Sequence, residues 1–111
     1  MTRSTELPQK AGLASLREVK GLNVNQVWTL DDNEVRLGRK RDENDIPLAG
    51  RNASRKHAVI RCENGHYVIY GLNNENPVVL NNMPLMQPHT LQQGDEIQLG
   101  DTVLKFEQNN T

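Results

Sequence analysis

The chain has 111 residues, 35% hydrophobic and 24% charged, which fits a single domain with one modest core. Thirteen basic residues against 14 acidic ones leave a net charge of −1, unlike the basic excess of a general nucleic-acid binder, so no nucleic acid is expected as a partner. One cysteine, Cys62, excludes an intrachain disulfide and the usual zinc spacings and fits a reducing, cytoplasmic setting; no apolar run is long enough to span a bilayer, so no membrane insertion is expected.

Residues 1–12 are polar, without periodicity and without the apolar stretch of a signal peptide, and read as a loose tail. Short runs follow, with turn residues between them. Residues 13–19 are apolar-rich and end at Lys20-Gly21; the run is short and uncapped for a helix and is read as a strand. Residues 26–30 lead to the turn Asp31-Asp32-Asn33, and residues 34–37 are closed by Gly38. Residues 39–52 form a long polar stretch interrupted by Ile46 and Leu48.

Residues 57–62 alternate, with Ala58, Ile60 and Cys62 on one face and Val59 and Arg61 on the other. Asn64-Gly65 follows, the strongest short hairpin signal, with residues 67–72 as the return strand. Residues 77–80 precede Asn81-Asn82, a pair that tolerates positive φ. His89 falls in a Pro-containing loop. Gln93-Gly94-Asp95 precedes residues 96–99, and Gly100-Asp101 leads into 102–107, where Val103, Lys105 and Glu107 alternate with Leu104 and Phe106. Many short strands at such spacing predict an all-β sandwich or barrel, spanning residues 13–107 with 108–111 as a second tail. Only Trp28, Tyr67, Tyr70 and Phe106 are aromatic, so the core is expected to be mostly aliphatic.

Four features stand in order along these strands. Gly38-Arg39 closes one strand, and Ser54-Arg55-Lys56-His57 opens the next hairpin. Asn73-Asn74-Glu75-Asn76 leads into residues 77–80 and Asn81-Asn82, and Gly94-Asp95-Glu96-Ile97 through Gly100 precedes the last strand. Together they resemble the forkhead-associated (FHA) domain, with its Gly-Arg, Ser-x-x-His, Asn-Gly-Thr, Asn-Gly and Gly-Asp-x-Ile-x-x-Gly pattern, over nearly the whole chain. The resemblance implies a two-sheet β-sandwich of about eleven short, mostly antiparallel strands. It also implies a monomeric signalling module without cofactor or catalysis, whose loops bind phosphothreonine-containing protein segments. A phosphate-independent scaffolding module of the same fold is the alternative.

Each implied site residue has a physical reading. The guanidinium of Arg39 can fork onto phosphate oxygens, after a glycine that lets the backbone turn; alone, Arg39 would read as a surface arginine paired to Asp42 or Glu43. Ser54 can donate its hydroxyl to a phosphate oxygen, and Arg55 can reach phosphate or peptide. His57 corresponds to a structural histidine that holds the Ser54 segment. Asn76 corresponds to an asparagine that grips the peptide main chain through an amide both donor and acceptor. Asn81 is expected to shape a turn near the site. Six of the 13 basic residues lie in positions 39–56, a local positive patch suited to a phosphate of about −1.5 to −2 charge.

Departures from the pattern lie on the Asn76 side. Glu75 stands where Ser or Thr is usual, setting a carboxylate near a dianion, and Pro77 replaces a glycine, fixing φ and removing an N–H. Ser54 with His57 also suggests a catalytic pair, but neither a third orienting group nor a Gly-x-Ser-x-Gly elbow accompanies it. His57 and Cys62 are five positions apart and face opposite ways on a strand, so no metal site is expected.

Overall fold

A computed structural model describes residues 14–108, and the two expected tails lie almost wholly outside them. Eleven strands run in chain order: β1 (Ala14–Lys20), β2 (Val27–Leu30), β3 (Val35–Gly38), β4 (Ile46–Pro47), β5 (Ala58–Glu63), β6 (His66–Gly71), β7 (Val79–Leu80), β8 (Met83–Pro84), β9 (His89–Thr90), β10 (Glu96–Leu99) and β11 (Thr102–Gln108). They form a six-stranded sheet in the order β2-β1-β11-β10-β7-β8 and a five-stranded sheet in the order β4-β3-β5-β6-β9. All pairs are antiparallel except β3 with β4. The two-sheet, all-β reading therefore holds. Among the described residues no helix is long and apolar enough to cross a membrane.

Period-2 patterning builds the layers. Leu16 of β1 and Leu104 and Phe106 of β11 are fully buried, while Ser15, Arg17, Lys105 and Glu107 keep partial exposure on the outer face. There Arg17 pairs with Glu107 across the ladder at 3.1 Å. Leu37, Ile60 and Ile69 supply the facing layer. The core is aliphatic apart from Phe106 and Tyr67, whose rings lie 5.9 Å apart and tilted by 58°. Cys62 packs against this core.

Turn chemistry fixes the register. Asn64 and Gly65 both have positive φ, which matches the right-handed twist of β5 and β6 and joins them at the Glu63–His66 pair. Asn81 and Asn82, at φ 49° and 70°, join β7 to β8 in the same way. β11 runs one residue beyond its expected end, Gln108 pairing with Ala14. Three two-residue strands, β4, β8 and β9, fall where no strand was read, and His89 opens β9 rather than lying in a loop.

Candidate functional site

The ladder β3-β5-β6 ends in three loops, residues 39–45, 48–57 and 72–78, and backbone hydrogen bonds carry its pairing into them. His57 N donates to Leu37 O at 2.9 Å, and Leu72 N donates to His57 O at 3.0 Å. Arg39 N donates to Ser54 O at 2.8 Å, and Lys40 N to Arg55 O at 3.2 Å. Gly38 is what permits this approach: a Cβ there would lie 2.1 Å from the Arg55 carbonyl oxygen. The expected sharp turn is not its role, because its φ is not positive; closeness of two backbones is the reason for the glycine. Asn44 closes the same corner, its side-chain amide donating to Lys40 O at 2.7 Å and Arg55 O at 2.8 Å.

His57 is fully buried. Its Nδ1 accepts the Ser54 backbone N–H at 3.1 Å, which places the ring proton on Nε2. Nε2 has no hydrogen bond of normal geometry, though the backbone of Pro77 and Asn76 lies near enough to favour the protonated ring somewhat. Burial outweighs that and holds the imidazole pKa below its ordinary value. With Nδ1 committed to a backbone N–H, His57 is not a general base for the Ser54 hydroxyl.

The Ser54 hydroxyl oxygen accepts two amide N–H groups, from Asn76 at 2.8 Å and from Asn73 at 3.2 Å. Both lone pairs are thereby used, and the hydroxyl proton remains to donate outward. Asn76 Nδ2 gives its other hydrogen to Asn52 O at 2.9 Å. Its amide nitrogen is then spent, and only Oδ1 is left to meet a ligand. The amide expected to be both donor and acceptor is an acceptor alone. Asn52 is tied in turn to Asp101, Nδ2 to Oδ1 at 2.8 Å, so the last turn of the sandwich braces the loop.

Arg39, Lys40, Glu43, Ser54, Arg55, Lys56 and Asn73 line a depression of about 540 Å³. Arg39 Nε donates to Ala53 O at 3.0 Å, which fixes the guanidinium. Among the described residues its Nη atoms have no hydrogen bond or ion pair, and Arg55 has no side-chain partner at all. The bland pairing of Arg39 with Asp42 or Glu43 does not form. Glu43 instead takes Lys40 at 2.9 Å and Lys56 at 3.6 Å, and those cations hold its carboxyl below the usual carboxylate range. The result is a hydroxyl donor flanked by two guanidiniums that have no ion pair among the described residues, a geometry that suits a tetrahedral dianion.

The remaining predicted residues lie around this centre. Glu75 is exposed, its backbone N–H donating to Asn73 Oδ1 at 2.9 Å, and its carboxylate has no partner among the described residues. Asn81 sits elsewhere: its amide donates to Asp95 at 2.9 Å and accepts the Glu96 N–H at 2.9 Å, pinning the β7–β8 turn to the Gly94-Asp95 turn. Asn73 and Asn44 were not singled out from sequence. The signal of Asn73 is the asparagine that closes an Asx-type turn, which the surrounding run of asparagines obscures, whereas Asn44 acts by donating its amide to two backbone carbonyls that only the fold brings to it.

A family model described as the FHA domain matches residues 35–100. The oxoglutarate dehydrogenase inhibitor of Corynebacterium efficiens is 34% identical over 105 residues, covering 95% of this chain and 71% of that protein. The glycogen accumulation regulator GarA of Mycolicibacterium smegmatis is 32% identical over 96 residues, covering 86% and 60%. An FHA domain of an Arabidopsis thaliana hypothetical protein superimposes with a TM-score of 0.86 at 26% identity, covering 97% of this chain and 95% of that one. Mycobacterium tuberculosis EmbR, solved in complex with a low affinity phosphopeptide, superimposes with a TM-score of 0.77 at 32% identity, covering 88% of this chain and 25% of that one.

Proposed function

Because the chain belongs to the FHA domain family, we propose that it is a signalling module that binds phosphothreonine-containing protein segments through Arg39, Ser54 and Arg55. The observation that carries this reading is the Ser54 hydroxyl, which two asparagine amides leave with only a proton to offer, beside the Arg39 Nη atoms and the Arg55 guanidinium, which have no side-chain partner among the described residues. The phosphopeptide complex of EmbR supports the same ligand class. Gly38, Asn44, Asn73 and His57 position the site, and Asn76 offers its Oδ1 to a ligand main-chain N–H.

The module catalyses nothing: the Ser54–His57 pair lacks the geometry of a nucleophile and its base, and the relatives are named as an inhibitor and a regulator. It acts as a cytoplasmic monomer on protein partners, and its near-zero net charge gives no footing for nucleic acid. Arg39→Ala tests the reading. A charge-assisted hydrogen bond contributes about 1.5–3 kcal/mol, so the variant should bind phosphothreonine peptides about tenfold to a hundredfold more weakly by calorimetry. Unchanged affinity would overturn the assignment of Arg39.

A further inference from the structure

β2 and β4 are each the first strand of their sheet, and a depression of about 270 Å³ lies between these two edges of the sandwich. Its apolar part is Trp28, half-buried and packed against the core, with Pro47, Leu48 and Ala49. Its polar part is Asn23, Gln26, Arg39 and Arg41. Arg39 thus lines two depressions, this one and the phosphate depression. The loop that brings Asn23 and Gln26 here is held in one shape. Glu18 is buried, and its carboxyl accepts the Asn23 backbone N–H at 2.6 Å. Gln26 N donates to Asn23 O at 3.0 Å, and Asn25 N to Glu18 O at 2.8 Å. Gly21 and Asn25 take positive φ, and a Cβ on Gly21 would lie 2.7 Å from Glu18 Oε2.

Burying a carboxyl costs free energy that its hydrogen bonds must offset, and here the bond goes to an otherwise exposed loop. The loop is thereby a preorganised wall of the cleft. Among the described residues the side-chain amides of Asn23 and Gln26, the Arg41 guanidinium and the Nη atoms of Arg39 have no hydrogen bond or ion pair. Each part selects for one property. An indole face takes a flat ring by stacking. Two guanidiniums take a carboxylate or a phosphate. Amides offer donors and acceptors to the polar edge of a ring. The volume lies just below the about 300–1,000 Å³ of ordinary small-molecule sites and admits one ring system with its anionic group. We propose that this cleft binds a small planar anion, an aromatic ring carrying a carboxylate or a phosphate, and that such a ligand, by drawing on Arg39, weakens phosphopeptide binding at the Ser54 site. The coupling is reciprocal by linkage. The coupling rests on the phosphothreonine reading of the Ser54 site; the cleft does not.

Trp28 is the one tryptophan of the chain, so its indole N–H gives a single NMR signal that reports on the cleft. The labelled domain is titrated with AMP, GMP, phenyl phosphate and benzoate, which separate nucleotides from simpler aromatic phosphates and carboxylates. Adenosine, inorganic phosphate and acetate are the controls, a ring without charge and charges without a ring. At least one planar anion should shift the Trp28 signal saturably, with a dissociation constant below about 1 mM. Arg41 is exposed and lies outside the phosphate depression. Arg41→Ala should weaken the planar anion about tenfold and leave the phosphothreonine-peptide affinity within about twofold. Saturating planar anion should weaken phosphopeptide binding at least about threefold in the wild type, read by fluorescence anisotropy, and not in Arg41→Ala. No saturable shift up to about 10 mM would overturn the cleft. So would an equal shift from any control, or a shift that Arg41→Ala leaves intact. Competition that survives Arg41→Ala would place the anion at Ser54 and overturn the coupling. A phosphopeptide that never binds would remove the phosphothreonine reading, and the coupling with it, while the Trp28 signal still decides the cleft.

Discussion

Ser54 shows how neighbours can turn one hydroxyl into a directed donor. Two amide nitrogens fill its lone pairs, and the imidazole of His57 holds its backbone N–H from beneath. Ser54, Arg39 and Arg55 could be named from the sequence because they fall in the motifs that resemble the FHA pattern, whereas alone each reads as an ordinary surface or turn residue. What Asn76 does with its hydrogens could not, because that depends on where Asn52 O and Ser54 Oγ arrive in space. Glu75 is the residue whose chemistry opposes the proposed ligand. Two unit charges 4 Å apart in water interact by about 1 kcal/mol, and the exposure of Glu75 keeps its effect near that scale. Glu75→Thr should therefore strengthen phosphothreonine-peptide binding several-fold, less so at high salt, as calorimetry at two ionic strengths would show. No gain at low salt would count against an electrostatic penalty at this position.

At the scale of elements, the long strands and the short β7 were legible, and the two-residue β4, β8 and β9 were not. β1 and β11 alternate buried and less buried residues over six positions, enough to expose a period of two, and β5 and β6 are marked by the Asn64-Gly65 turn between them. β4, β8 and β9 have two residues each, and β8 and β4 contain a proline, so no period and little strand propensity mark them. Their pairing partners, not their sequences, make them strands. Gly38 teaches a related lesson: its place at a strand end suggested a turn, but the requirement comes from Arg55, 17 positions away. Gly38→Ala should destabilise the domain by about 1–3 kcal/mol in chemical unfolding, the usual cost of overpacking. It should also weaken phosphopeptide binding, because relieving the clash must push the Arg39 and Arg55 backbones apart.

For the whole molecule, the phosphate loops are anchored to the sandwich through one buried titratable ring. Burial holds the His57 pKa below its ordinary value of 6.5, so between that value and the folded-state value the unfolded chain binds more protons than the folded one. The contribution of His57 to stability is thus complete above about pH 6.5 and is lost as pH falls from there to the folded-state value. Glu34, Glu43 and Glu107, whose ion pairs hold their carboxyls below 4.5, lose their contributions only as pH falls below that value. Unfolding free energy measured against pH should decline below 6.5, before the carboxylates begin to titrate. A ring signal of His57 that titrates above 6.5 in NMR would contradict this account.

The central claim, that the loops at the end of β3, β5 and β6 read phosphothreonine, is tested most directly by one titration. A phosphothreonine peptide, added to the isotopically labelled domain, should shift the backbone amide signals of Arg39, Ser54, Arg55, Asn73 and Asn76. The same peptide without its phosphate should leave them in place. Equal shifts with both peptides, or shifts confined to residues outside these loops, would contradict the assignment.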